Sequence, residues 1–99
     1  MKKILLVCSA GMSTSLMVTK MQTEADARGI ETKIWAVADA KAQTEVEEAD
    51  CVLLGPQVRF LLSKIQGFAG DKPVAVIDMA AYGMMDGKKV LDQALALLG

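Results

Sequence analysis

Lys3-Ile4-Leu5-Leu6-Val7-Cys8-Ser9-Ala10-Gly11-Met12-Ser13-Thr14-Ser15 sets an apolar run against a thiol and then a series of small and hydroxyl-bearing residues. The apolar run has almost no polar alternation, which is the pattern of a strand covered on both faces inside a parallel sheet. It predicts a central strand over Lys3 to Val7, a loop from Cys8, and a helix whose periodic pattern begins at Leu16. A strand-to-helix turn collects unpaired backbone N–H groups at the positive end of the helix dipole, so such a loop binds anions. Cys8 stands at its mouth, where the same potential favours negative charge on sulfur. A nucleophile and a phosphate cradle thus share one turn.

Outward from that turn, strands and helices alternate. Met17, Met21 and Ala25 recur at helical spacing with Val18 beside them, and Gly29 is a suitable C′ residue; Lys20, Glu24 and Arg28 take the opposite face. Glu31 to Val37 alternates charged and apolar residues, the mark of a half-exposed edge strand. Asp39 is then expected to cap a short helix over Ala40 to Glu48. Cys51 to Leu54 reads as a buried third strand closed by Gly55-Pro56, with Pro56 in the first turn of a helix whose apolar face is Val58, Leu61, Leu62 and Ile65. Val74 to Ile77 is a fourth strand ended by Asp78, and Met79 to Met85 reads as a loop or one helical turn. Asp86 offers an N-cap to a last helix with Val90, Leu91, Ala94, Leu95 and Leu98 inward.

Such alternation implies right-handed βαβ units and an α/β fold, a four-stranded parallel sheet in the order 2-1-3-4 with helices on both faces, flavodoxin-like. Ligands of these sheets sit at the carboxyl ends of the strands, near the switch point beside strand one, where Cys8 falls. Gly55-Pro56-Gln57 and Asp78 to Gly83 end the other inner strands on the same rim, so Gln57 and Tyr82 are possible walls of the site. Asp78 suits a helix cap better than an acid catalyst. Tyr82 either borders the pocket or faces solvent. Met12, Met79, Met84 and Met85 gather near the loop as core filler or as an adaptable docking surface.

Composition narrows the chemistry. Ninety-nine residues with 53% hydrophobic and 23% charged content suit one domain, residues 1–99, with a modest core. A formal charge of -1 without a basic cluster argues against nucleic acid as a partner. The opening Met1-Lys2-Lys3 and its apolar run stop at Val7, too short for a signal h-region or a membrane span, so a cytoplasmic protein without membrane insertion is expected. If their strands are neighbours, Cys8 and Cys51 lie roughly four residues, on the order of 13 Å, apart along the sheet, beyond disulfide reach. Cys51 reads as a small core residue. With no histidine there is no Cys–His dyad, no His-ligated metal and no phosphohistidine on this chain, and no metal or cofactor is expected.

A cysteine before a phosphate cradle resembles the low-molecular-weight tyrosine phosphatases, whose loop carries an arginine six residues after the cysteine. Thr14 stands there instead. Without the guanidinium the loop lacks the bidentate clamp on phosphoryl oxygens that would most help hydrolysis. Arg59 reads as a solvated charge, not a replacement.

Cys8 to Ser15, taken with Leu53-Leu54-Gly55-Pro56-Gln57, Val76-Ile77-Asp78 and Tyr82-Gly83 at these separations, closely resembles the enzyme IIB component of the phosphoenolpyruvate-dependent sugar phosphotransferase system, lactose and cellobiose (chitobiose) family. The likeness covers essentially the whole chain. It implies a phosphotransferase in which Cys8 takes a phosphoryl group from a IIA phosphohistidine and passes it to a sugar entering through the membrane-embedded IIC component. It also implies that Ser9, Ala10, Gly11, Met12, Ser13, Thr14 and Ser15 surround the phosphate. Trp35 and Cys51 fall outside the family's motifs. Two other readings remain: a cysteine phosphatase with an incomplete loop, and an anion-binding regulatory module whose thiol is incidental. The sugar is not legible in the chain.

Overall fold

A computed structural model describes residues 1–9 and 12–99, with Met12 and Ser13 described by backbone alone. Four parallel strands, β1 (Lys2–Cys8), β2 (Thr32–Ala38), β3 (Cys51–Leu54) and β4 (Val74–Val76), lie in the order β2-β1-β3-β4. This is the expected order, with β2 at an edge. β1 is central because its alternate side chains fill both halves of the core. Ile4 and Leu6 face one side with Cys51 and Leu53, and Leu5 and Val7 face the other with Val52 and Leu54. All eight are inaccessible to solvent, as the unalternating strand pattern requires.

Helices cover both faces. Met17, Met21 and Ala25 of α1 (Met12–Ala27), Ala81 of α4 (Met79–Gly83), and Val90, Leu91 and Ala94 of α5 (Gly87–Leu97) pack on the Ile4 side. Ala42 of α2 (Ala42–Glu45), Val46, and Ile65 and Ala69 of α3 (Leu62–Ala69) pack on the Leu5 side. α1 closes at a glycine with φ +71°, where Ile30 N–H bonds Ala25 O at 2.9 Å and Gly29 N–H bonds Asp26 O at 3.1 Å. That pair is a Schellman motif, and it needs the left-handed conformation glycine adopts without strain.

Four expectations need correction. The first helix starts at Met12 rather than Leu16, so Ser13, Thr14 and Ser15 belong to its first turn, where short hydroxyl residues are favoured. The stretch after β2 is a single four-residue α-turn between two 3-10 turns, Asp39–Lys41 and Val46–Glu48. Asp39 is the first residue of the first 3-10 turn and not a cap; Ala38 holds the N-cap position without a side-chain bond. After Pro56 the chain forms a 3-10 segment, Pro56–Leu61, and α3 proper begins only at Leu62. Val58 causes the break: at φ −116° and ψ 23° its backbone leaves the helical range while its side chain is buried under the sheet.

The edge strand is protected by its side chains. Trp35 Nε1 donates to Glu45 Oε1 at 3.0 Å, and Lys33 Nζ lies 4.9 Å from the Trp35 ring centre. Together they cover β2 with polar groups.

Candidate active site

Cys8 is the last residue of β1 and pairs in register with Ala38 of β2. Alternation puts its side chain on the Ile4 and Leu6 face, toward α1, and it is only 3% exposed. On the other flank Gly55 N–H donates to Val7 O at 2.8 Å, extending the β1–β3 ladder and laying Gly55 beside Cys8. A Cβ on Gly55 would lie 3.6 Å from Cys8 Cβ and 2.8 Å from Gln57 Oε1. With φ −59° and ψ 147°, this backbone is open to any residue, so the position needs glycine for space and not for conformation.

Three rim side chains meet. Gln57 Nε2 donates to the Tyr82 hydroxyl at 3.2 Å, and the same hydroxyl is 3.3 Å from Thr14 Oγ1. Thr14 is 1% exposed, so its hydroxyl is satisfied within the protein, with this contact among its partners. The residues come from the ends of β1, β3 and β4, which the parallel sheet brings to one rim. Ser9 and Ser15 are exposed on it. The expected cradle positions Ala10 and Gly11, and the side chains of Met12 and Ser13, lie outside the described residues.

Asp78 is a cap: its Oδ2 accepts from Ala81 N–H at 2.9 Å and starts α4. Gln93 of α5, a residue the sequence analysis does not single out, fastens this corner. Its Nε2 donates to Val76 O at 2.8 Å, and its Oε1 accepts from Asp78 N–H at 3.0 Å. Only a polar residue close to the inward stripe could have signalled it. Of the methionines, Met79 and Met84 are exposed, and Met85 is half-buried at φ +52° in the left-handed position that ends α4. Leu16, at 49%, and Phe60, at 75%, add exposed apolar surface on the elements that leave β1 and β3. Both are off the inward stripes of their helices, a signal present in the sequence.

The second thiol behaves differently from a reactive one. Cys51 stands opposite Ile4 in the register, four residues down β1 from Cys8, and neither cysteine is in a disulfide. Burial, helped by Asp50, pushes the Cys51 thiol from 9.0 up to about 11. At pH 8 about one Cys51 in a thousand is thiolate, so alkylation of the native protein should spare it. A raised pKa also ties stability to pH. The contribution is whole below pH 9, where folded and unfolded chains both keep the proton, and is lost as pH rises from 9 through about 11. Denaturation midpoints of wild type should therefore fall more steeply above pH 9 than those of Cys51→Ala, by at most about 2–3 kcal/mol.

Among the described residues no group of carboxylates and thiols could hold a metal ion, and no helix is long and apolar enough to cross a membrane. Residues 3–93 match the family described as "PTS system, Lactose/Cellobiose specific IIB subunit". The chain belongs to the lactose/cellobiose-specific IIB family of the sugar phosphotransferase system. IIB components of this system are phosphotransferases. The chain is 56% identical over 100 residues to the oligo-beta-mannoside-specific EIIB component of Bacillus subtilis (strain 168), a match covering 99% of this chain and 97% of that one. It is 43% identical over 104 residues to the galactose-specific EIIB component of Lactococcus lactis subsp. cremoris (strain MG1363), covering 98% and 96%.

Solved IIB structures share the fold. The cellobiose-specific IIB component of Borrelia burgdorferi aligns with TM-score 0.80 and 37% identity over 98% of this chain and 91% of that one. The lactose-specific IIB domain of Streptococcus pneumoniae aligns with TM-score 0.89 over 99% and 98%, at 16% identity, a likeness of fold alone.

Proposed function

We propose that this chain is a cytoplasmic phosphocarrier in which Cys8 forms a phosphocysteine between a IIA phosphohistidine and a sugar delivered by a IIC membrane component. The observation that carries the reading is the position of Cys8 at the end of the central strand, with α1 beginning four positions later at Met12. In the first step the Cys8 thiolate attacks phosphorus; an S–P bond forms, the N–P bond breaks, and its electron pair leaves with the donor imidazole, which takes up a proton. In the second a sugar hydroxyl oxygen attacks, an O–P bond forms, the S–P pair returns to sulfur, and the hydroxyl proton leaves to a base on the acceptor side. Backbone N–H groups of Ser9 to Ser15 hold the phosphoryl oxygens between the steps.

Storage also requires that water be kept from the phosphoryl group. Thr14 at the phosphatase arginine position and a chain without histidine favour retention over hydrolysis. The exposed Leu16, Phe60 and Met79, on the segments that follow β1, β3 and β4, offer apolar surface suited to two successive partners. The relatives' names run from galactose, a monosaccharide, through cellobiose to an oligo-beta-mannoside, so the proposed acceptor is a sugar within that range. Incubation with a phosphorylated IIA partner, followed by intact-mass measurement, should add one phosphoryl group to the chain; no gain, or turnover of an aryl phosphate by the chain alone, overturns the reading.

Gly55→Ala separates packing from positioning. The new Cβ would press on the flexible end of Gln57 and not on backbone, so the cost in stability stays below about 1 kcal/mol. Gln57 must swing away from Tyr82, and phosphoryl uptake should slow by roughly tenfold as the rim is misplaced. Stopped-time labelling beside a thermal melt reads both quantities.

A further inference from the structure

The Tyr82 hydroxyl joins two residues that play different parts. An amide nitrogen can only donate, so Tyr82 Oη accepts from Gln57 Nε2 at 3.2 Å. The phenol has one proton of its own, and Thr14 Oγ1 lies 3.3 Å away. Sending the phenolic proton to Thr14 satisfies both bonds and leaves the threonine proton to be donated onward. Thr14 is 1% exposed, so that proton has no bulk water to meet, and its residue lies in the first turn of α1, immediately after the Cys8 loop.

We propose that Gln57, Tyr82 and Thr14 form a directed chain of donors that ends on the anion at Cys8. Tyr82 is then a positioning residue: it touches neither sulfur nor phosphorus, and it fixes which way the Thr14 hydroxyl points. A phenol that accepts from an amide is a stronger donor, and the threonine it donates to becomes stronger in turn. The chain therefore presents a polarised proton to a thiolate before charging and to a phosphoryl oxygen after it. Gly55 is the enabling position, since a side chain there would displace Gln57, the first donor. This inference rests on Cys8 as the phosphoryl acceptor, but its first test needs no phosphate.

The test is the rate of iodoacetamide alkylation of Cys8 in the full chain at pH 7, followed by peptide mass, with thermal melts on every variant. Tyr82→Phe and Thr14→Val should each slow Cys8 by about two- to fourfold, the loss of one hydrogen bond to the anion partly offset by its greater intrinsic nucleophilicity. Thr14→Ser, which keeps the hydroxyl and loses the methyl, should stay at the wild-type rate. Gln57→Met should slow wild type and have no effect in the Tyr82→Phe background. On the phosphorylated chain, the phosphocysteine 31P resonance should move in Tyr82→Phe and Thr14→Val but not in Thr14→Ser.

Packing alone predicts the reverse order at Thr14, with valine tolerated and serine not, and that result overturns the chain. So does an unchanged Tyr82→Phe rate, or a Gln57→Met effect that persists without the phenol. Should Tyr82→Phe melt below the assay temperature, the Thr14 pair alone decides. A wild-type chain that takes no phosphate from its donor counts against the phosphocarrier reading, while the alkylation ranks still decide the donor chain.

Discussion

A Cys8→Ser chain should take up phosphate from a phosphorylated IIA partner at least about a thousandfold more slowly than wild type, a loss of roughly 4 kcal/mol in the transition state. The substitution exchanges one atom in a side chain that is 3% exposed, so the fold and the rim remain and the melting temperature should barely move. What changes is the nucleophile. A thiol yields an appreciable thiolate near neutral pH, whereas a hydroxyl needs a general base to take its proton in the transition state. This chain offers no imidazole, and the carboxylate on the β4 rim, Asp78, is engaged as the cap of α4. Serine is also the poorer leaving group, so any ester that formed would be held instead of passed on. Single-turnover labelling with intact mass checks both halves: uptake at a rate near wild type, or label found on another residue, would remove Cys8 from the centre of the mechanism.

The reasons for legibility differ along the chain. β1 and β3 could be read to within a residue because strands buried on both faces must be apolar throughout, and alternation with helices makes the sheet parallel without by itself setting its order. The start of α1 lies four residues before the onset of its periodic pattern because Ser13, Thr14 and Ser15 signal both a loop and a first helical turn. Only the tertiary setting, which buries Thr14 against Tyr82, separates those meanings. The break at Val58 left no trace, since an apolar residue three or four positions from the next fits a 3-10 segment and an α-helix equally.

Within the site, the sequence placed Cys8, Gln57 and Tyr82 on one rim through topology, but not the bonds among them. Thr14 and Tyr82 are 68 positions apart and Gln57 and Tyr82 are 25 apart, and no local pattern encodes a contact at such separations. The burial of Thr14 also alters the comparison with phosphatases. An arginine at this position would have to replace a side chain enclosed by protein, so Thr14→Arg would disturb the rim before it could clamp a phosphate.

Gly87→Ala should destabilise the chain, though glycine to alanine in a helix usually stabilises. Gly87 opens α5 behind the Asp86 cap, whose Oδ1 accepts from Lys89 N–H at 3.2 Å. There α5 crosses α1 so closely that a Cβ would lie 2.7 Å from Lys20 Cβ, 2.8 Å from Lys20 C and 3.0 Å from Lys20 O. None of these atoms can rotate away, so the two helices must separate. Overpacking of this kind costs about 3 kcal/mol, and the better helix propensity of alanine returns less than about 1 kcal/mol. The net loss of about 2 kcal/mol lowers the melting temperature of a domain this size by roughly 8–16 °C. Gly67→Ala is the control: it lies inside α3 with nothing within 4 Å of its Cβ, and should gain about 0.5–1 kcal/mol. If Gly87→Ala melts at or above wild type, the close approach of α1 and α5 is not a constraint. If it melts as expected, phosphoryl uptake should fall as well. Asp86 N–H is bonded to Ala81 O at 2.8 Å, so displacing the start of α5 draws α4 with it and carries Tyr82 away from Thr14.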